Sequence, residues 1–273
     1  MSAVISSSHA LSSATTNPLL NPQLTALDSL LDDQALLDAL QALDIIVPEQ
    51  EADTPLLSPM QLSYLHSPHK EKPLQWACKR AFDVVFTSIG ILLFSLPLLV
   101  LAALVKFTSP GPLFFSQERI GLHGKKFKMH KFRSMYTDAE DRLKELLTEN
   151  ETNQAMFKMK NDPRVTPVGK WLRKFSLDEF PQLINVLKGE MSLVGPRPPI
   201  ERELSAYELW HYVRFSTVPG LTGAWQVSER SNIKEFNDVV KLDFNYILNW
   251  SVWQDLVILF KTVPVVLFAK GSV

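Results

Sequence analysis

Residues 84–105 read VVFTSIGILLFSLPLLVLAALV, 22 apolar or small residues without a charge. At about 1.5 Å per residue a straight helix of that length reaches roughly 33 Å, enough to cross a hydrocarbon core of about 30 Å. Two features turn the reading from a crossing into a re-entrant helix-break-helix. Pro97 stands inside the run, close to Ser95, and a proline there removes a helical hydrogen bond and kinks the chain. Basic residues also flank both ends: Lys70, Lys72, Lys79 and Arg80 before, and Lys106, Lys125, Lys126, Lys128, Lys131 and Arg133 after. A crossing strands one basic flank on the wrong side, whereas a segment entering and leaving by one face keeps both in the cytoplasm. The break is expected at Ser95-Leu96-Pro97, with Arg80 and Asp83 as interfacial residues paired with each other.

Working outward, the charge distribution divides the chain. The whole carries 28 basic and 29 acidic residues, yet positions 1–69 hold no Lys or Arg and eight acids, leaving 70–273 with a net of +7. A basic body suits anionic headgroups and phosphorylated substrates; no recognition motif for nucleic acid accompanies it, so nucleic acid is not an expected partner. Three regions follow: an acidic arm and linker over 1–70, a re-entrant membrane helix over 71–108, and a cytosolic-face domain over 109–273. Within the arm, Asn21-Pro22 and the leucines to Ile46 predict an acidic amphipathic helix, which either folds back on the body or offers a surface to a protein partner. A homo-oligomer through the arm or the membrane segment is the other expectation. Cys78 is the single cysteine, so no disulfide forms within the chain.

Chemistry concentrates in WLRKFSLDEFPQLINVLKGEMSLVGPRPP, residues 171–199. Asp178 and Glu179 stand side by side before Pro181, which lacks an N–H and is tolerated only at the start of a helix. Ser176 to Glu179 also fits a capping box. Capping and catalysis are compatible, since a helix N-terminus is expected to keep Asp178 ionised and to attract phosphate. An ionised carboxylate attacks phosphorus if cations neutralise the phosphate. Arg173 and Arg197 bracket the pair, and Arg197 lies in the stiff Gly195-Pro196-Arg197-Pro198-Pro199 turn, where its fork suits paired phosphate oxygens. A salt bridge from Arg197 to Glu179 or Glu190 is the structural alternative. Hard-oxygen ligation of Mg²⁺ by Asp178 and Glu179 with substrate phosphates is the metal chemistry expected, because the six histidines show no zinc spacing and no P-loop appears. Asp138-Ala139-Glu140 is a second acidic pair without bracketing arginines.

The rest of the chain reads as short elements. LFFSQERIG (113–121) and KFKMHKFRSM (126–135) alternate as two strands of a basic hairpin, residues 138–147 read as a surface helix, and Glu201 to Phe215 as an amphipathic helix. PGLTGAWQV (219–227) is a glycine-punctuated loop. Phe236, Val240 and Phe244 share one side of a further helix. The run 252–269 is an interfacial helix with Trp250 and Trp253 as anchors, or else ordinary core. The fold class is mainly α with a small β-hairpin.

These motifs, with KRAFDVV (79–85), SPGPLFFSQERIG (109–121), NDPRVTPVGKWLRKFSLDEF (161–180) and KLDFNYILNWS (241–251), resemble the bacterial sugar transferases, the monotopic polyprenyl-phosphate phosphoglycosyl transferases. The resemblance spans nearly everything after residue 75. It implies an enzyme of the bacterial inner membrane, on its cytoplasmic face, with UDP-sugar, undecaprenyl phosphate and membrane lipids as partners and Mg²⁺ as cofactor. It implies that Asp178 attacks the sugar-linked phosphate, UMP leaves, and the lipid phosphate takes the phosphosugar, opening surface polysaccharide synthesis. Glu179 becomes the dyad partner, and Lys131, Arg133 and Arg119 join Arg173 and Arg197 as phosphate candidates. Val218, where the family usually carries Arg, and the order Ala224-Trp225-Gln226 depart from its pattern, as does Leu96 between Ser95 and Pro97. A glycosyl transferase releasing UDP and a non-catalytic membrane scaffold are the alternatives.

Overall fold

The computed structural model describes residues 67–139, 141–142, 162–228, 233 and 235–268. The helix expected in the acidic arm, Glu140 and most of the helix expected over 138–147 lie outside them. The elements are α1 (Pro68–Glu71), α2 (Pro73–Leu93), α3 (Ser95–Thr108), β1 (Phe114–Ile120), β2 (Lys126–Phe132), α4 (Pro167–Lys174), α5 (Gln182–Lys188), β3 (Ser192–Val194), β4 (Gly220–Thr222), α6 (Ala224–Val227), α7 (Phe236–Leu248) and α8 (Val252–Leu267). The fold is mainly helical, with the expected hairpin and a second small sheet.

The apolar run divides between α2 and α3, which meet at a bend of 66°. No single described helix is long and apolar enough to cross a membrane; this bent pair is, by length and composition. The break falls on Phe94, one residue before Ser95. Phe94 N–H still closes α2 on the Gly90 carbonyl, while its own carbonyl accepts the first bond of α3 from Leu98. Ser95 Oγ donates to the Leu92 carbonyl at 2.8 Å, occupying an acceptor at the end of α2. Pro97 is the third residue of α3, where its missing N–H costs little.

Helix α2 is inside out. Its buried residues are Lys79, Asp83 and Thr87, spaced four apart on one face, whereas Val85, Phe86, Leu92 and Leu93 are exposed. The polar face grips the body. Lys79 Nζ donates to Asp255 Oδ2 at 2.6 Å and to the Val194 carbonyl at 2.9 Å; Asp83 Oδ1 accepts from Leu193 N–H at 3.0 Å; Arg80 donates to the Val186 and Leu187 carbonyls, at 2.5 and 2.6 Å. The expected interfacial Arg80–Asp83 pair is therefore not what forms: Arg80 caps the carbonyls that end α5, the Leu187 oxygen and, together with Gly189 N–H at 3.0 Å, the Val186 oxygen, and Asp83 holds β3.

Strands β1 and β2 pair antiparallel with Phe115 opposite Lys131 and Arg119 opposite Phe127. Phe132 packs with Leu101 and Val105 of α3 and Leu172 of α4, joined by Leu177 and Phe180. Strands β3 and β4 pair in parallel, Ser192 with Gly220 and Val194 with Thr222, so that part of the expected loop 219–227 is strand. Gly220 permits this approach: a Cβ there would lie 2.0 Å from the Gly195 nitrogen.

Two further expectations are corrected. Glu201 to Phe215 is not one helix but two 3₁₀ segments, Glu201–Ala206 and Leu209–Ser216; extended Tyr207 and Glu208 separate them, and His211 Nδ1 accepts from Glu208 N–H at 3.0 Å. Trp250 is no surface anchor, being 1% exposed, edge-on to Trp76 and donating to Asp255 Oδ2. Trp253, Phe260, Val263 and Leu267 of α8 are exposed, and Phe236, Val240 and Phe244 are buried along α7 as the spacing predicts.

Candidate active site

The acidic pair sits on a single 3₁₀ turn, Leu177–Glu179, wedged between α4 and α5. Thr166 starts α4 by accepting from Gly169 N–H at 2.9 Å, with Pro167 following it. The chain then reverses through Ser176, whose φ of 54° and ψ of 24° place it in the left-handed region, uncommon for a side-chain-bearing residue. Ser176 makes no side-chain cap, so the capping box does not form; only its carbonyl accepts from Glu179 N–H, at 3.2 Å. Pro181 directly precedes α5, leaving Asp178 on a separate turn ahead of that helix.

That placement reverses an electrostatic expectation. Asp178 is 6% exposed, and burial pushes its carboxyl above the usual carboxylate range; Lys131 pulls it back, Glu179 adds to the rise, and Arg173 opposes it. Desolvation disfavours the charged form and outweighs the cations around it.

Of the candidate cations, Lys131 comes nearest to the pair. Its Nζ lies 2.6 Å from Glu179 Oε1 and 3.9 Å from Asp178 Oδ2, so one β2 side chain bridges both carboxylates. Arg173, half-buried in the last turn of α4, acts on Asp178 through its charge. Arg197 pairs with neither Glu179 nor Glu190 but with Glu203, Nη1 to Oε2 at 3.7 Å. Arg119 donates to the Pro198 carbonyl and to Gln117 Oε1; burial, with Arg197 nearby, lowers its pKa to about 9, against the pull of Glu203 and Glu179. Arg133 is turned the other way, donating to the Ser109 carbonyl at 2.7 Å, to Ser109 Oγ at 2.9 Å and to the Pro110 carbonyl at 2.7 Å, which ties the end of α3 to β2.

Residues that the sequence reading passed over hold this geometry. Asn185, fully buried on α5, donates to the Lys128 carbonyl at 2.8 Å and accepts from His130 N–H at 3.2 Å, fixing α5 to the strand that carries Lys131. Phe180, next to Glu179, meets Phe94 edge-on, with ring centroids 5.7 Å apart. The acidic turn thus touches the bend of the apolar helix pair. A buried asparagine satisfied on both sides of its amide is visible only in the fold; its sequence context, Leu183-Ile184-Asn185-Val186, reads as helix interior.

Two adjacent carboxylates are suitable hard donors for Mg²⁺, which commonly binds one or two carboxylates and completes its shell with phosphate oxygens and water. Among the described residues no group of three or more His, Cys, Asp or Glu side chains could hold a metal ion.

Residues 74–269 match the family described as bacterial sugar transferase. The exopolysaccharide production protein ExoY of Rhizobium meliloti is 45% identical over 205 residues, covering 74% of this chain and 90% of ExoY. The undecaprenyl-phosphate galactose phosphotransferase of Salmonella typhimurium is 46% identical over 200 residues, 71% of this chain and 41% of that protein. The galactosyl transferase CpsE of Streptococcus agalactiae is 45% identical over 194 residues, 71% and 43%. The aligned part thus spans most of ExoY but less than half of the other two.

Proposed function

This chain belongs to the bacterial sugar transferase family, and from that premise we propose that it moves a sugar-1-phosphate from a UDP-sugar to undecaprenyl phosphate through a covalent aspartyl-phosphosugar. A carboxylate oxygen of Asp178 attacks the phosphorus bearing the sugar, the bond to the bridging oxygen breaks, and UMP leaves with that electron pair. An oxygen of the lipid phosphate then attacks the same phosphorus and returns the carboxylate, leaving polyprenyl-diphosphate-sugar. Such a step demands neutralised phosphate charge and alignment rather than proton transfer alone. Lys131 and Arg173 flank the acid; Arg197 would meet the donor diphosphate, with buried Arg119 adding positive charge behind it. Asp178 and Glu179 would hold Mg²⁺ against the donor phosphates, where it would supply further charge neutralisation.

The observation that carries this reading is the contact between the acidic turn and the helix bend. Phe180 meets Phe94, and Leu177 and Leu98 pack against the one cluster that holds Leu101, so the turn carrying Asp178 lies beside the apolar hairpin. That hairpin turns Lys79 and Asp83 inward and Leu92, Leu93, Leu96 and Leu99 outward, the arrangement a lipid solvent favours. We read α2–α3 as re-entrant from the cytoplasmic face of the inner membrane, with the exposed face of α8 at the same interface. A phosphate on a membrane-dissolved chain then meets Asp178 without leaving the headgroup region.

The test is nucleotide release by detergent-solubilised protein with Mg²⁺, undecaprenyl phosphate and UDP-galactose, UDP-glucose or UDP-N-acetylgalactosamine, alongside Asp178→Asn. UMP release with one donor, reduced at least 10³-fold in the variant, is expected. UDP release would instead make the chain a glycosyl transferase, and Asp178→Asn with intact turnover would remove the covalent step.

A further inference from the structure

The turn that presents Arg197 is held by its carbonyls. With Pro196, Pro198 and Pro199 it has few N–H groups to anchor it, and donors from three other segments converge on its oxygens, with a fourth holding the β3 residue just before it. Val194 C=O accepts from Lys79 Nζ, Pro196 C=O from Gly220 N–H at 2.9 Å, Pro198 C=O from Arg119 at 3.0 Å and Pro199 C=O from Ile120 N–H at 3.0 Å. The carbonyl of Arg197 itself accepts from Arg214 Nη2 at 3.0 Å.

Arg214 is built for that single contact. It is 6% exposed, its Nε donates to Asp243 Oδ2 at 2.9 Å, its Nη1 donates to Tyr207 Oη, and its guanidinium lies over the rings of Tyr207 and Phe236 at 5.9 and 5.8 Å. Each of its three nitrogens thus has its own acceptor, and a planar fork so fixed has almost no remaining rotamer freedom. Asp243, 1% exposed on α7, orients the fork from behind. From the front, Glu203 Oε2 faces the Arg197 guanidinium at 3.7 Å and accepts from Ile200 N–H at 3.2 Å.

We infer that Arg214 is a positioning residue for Arg197: braced by Asp243 and Tyr207, it clamps the Arg197 main chain so that the guanidinium faces the donor diphosphate already ordered. Resting on the function proposed above, this adds a residue that touches no substrate yet sets the affinity of one that does. Pre-organisation appears in binding more than in the chemical step. Lysine at 214 keeps the charge beside Asp243 but cannot reach three acceptors in a plane.

The experiment is a double-mutant cycle on full-length protein, reading UMP release against donor concentration for Arg214→Lys, Arg197→Ala and the pair. Arg214→Lys is expected to raise the donor KM about tenfold while kcat stays within about threefold, and the double variant to lie within about twofold of Arg197→Ala. Multiplying effects, or an Arg214→Lys protein that melts lower with unchanged KM, would reduce Arg214 to a packing residue and overturn the inference. Should Arg214→Lys not fold, Tyr207→Phe in the same cycle frees one arm of the fork and is expected to raise KM by a smaller factor, again without effect in the Arg197→Ala background; an additive result there is equally fatal. Wild-type protein releasing no UMP at all would instead count against the proposed function.

Discussion

Lys79→Met tests whether α2 is fastened to the body by a buried ion pair. The Lys79 and Asp255 side chains are 4% and 7% exposed, with 2.6 Å between Nζ and Oδ2. Methionine fills much the same stem volume, so the substitution chiefly removes the ammonium. Asp255 then stays buried with two neutral donors, Tyr246 Oη at 2.8 Å and Trp250 Nε1 at 3.2 Å. Breaking one side of a buried pair costs about 3–5 kcal/mol; the two surviving donors place this case near the lower end, about 3 kcal/mol. At roughly 2–4 °C per kcal/mol for a domain of this size, the midpoint falls by about 6–12 °C. The companion is Lys79→Met with Asp255→Leu, which removes both partners of the pair and leaves the Trp250 N–H without an acceptor, while the single Tyr246 hydroxyl proton, released from Asp255, can turn to the Val194 carbonyl 3.3 Å away. Its cost is about 1–2 kcal/mol, so the double variant should melt above the single. Circular dichroism melts of detergent-solubilised protein decide the matter. A single variant within about 2 °C of wild type, or a double variant below the single, refutes the account.

Other outcomes follow from the same geometry. Because burial raises the Asp178 carboxyl and the mechanism proposed above uses its ionised form, that proposal requires kcat/KM to fall with decreasing pH on a limb above the ordinary carboxylate range; Lys131→Met removes the leading opposing charge and should move that limb to higher pH, as a pH–rate profile will show. The sign for stability is opposite: a group that holds its proton more tightly when folded stabilises at low pH and loses that contribution as pH rises past the unfolded value of about 3.9. Asp178→Asn should therefore melt no lower than wild type at pH 7 while losing turnover. Gly220→Ala drives a Cβ to 2.0 Å from the Gly195 nitrogen and should cost about 2–3 kcal/mol in a thermal melt, whereas Gly90→Ala meets nothing within 4 Å and should be neutral or stabilising by up to about 1 kcal/mol. The re-entrant reading proposed above requires that Leu92→Lys with Leu96→Lys, at exposed positions of the bend, lower flotation with vesicles more than tenfold at unchanged folding, given a cost of about 2.5–3.5 kcal/mol per lysine deep in the bilayer.

Much of this protein is written in short-range patterns. The 22-residue apolar run with a proline inside it specifies two helices and a bend, because a missing N–H and a clashing ring act on the four preceding residues wherever they occur. Alternation over 113–121 and 126–135 specifies the hairpin, and the spacing of Phe236, Val240 and Phe244 the buried side of α7. The adjacency of Asp178 and Glu179 is likewise local. What the sequence could not supply is the partner of each charge. Lys79, Arg80 and Asp83 look like headgroup residues until the fold places Asp255, the end of α5 and β3 against them. Trp250 looks like an interfacial anchor until Trp76 and Asp255 enclose it. Lys131 gains its place between the two carboxylates from a contact 48 residues distant along the chain. Asp178 is raised rather than lowered because burial, a property of everything packed around it, outweighs the neighbouring cations. Periodicity and backbone sterics act within a few residues and can be read in order; desolvation and charge pairing depend on distances in space, which only the tertiary structure sets.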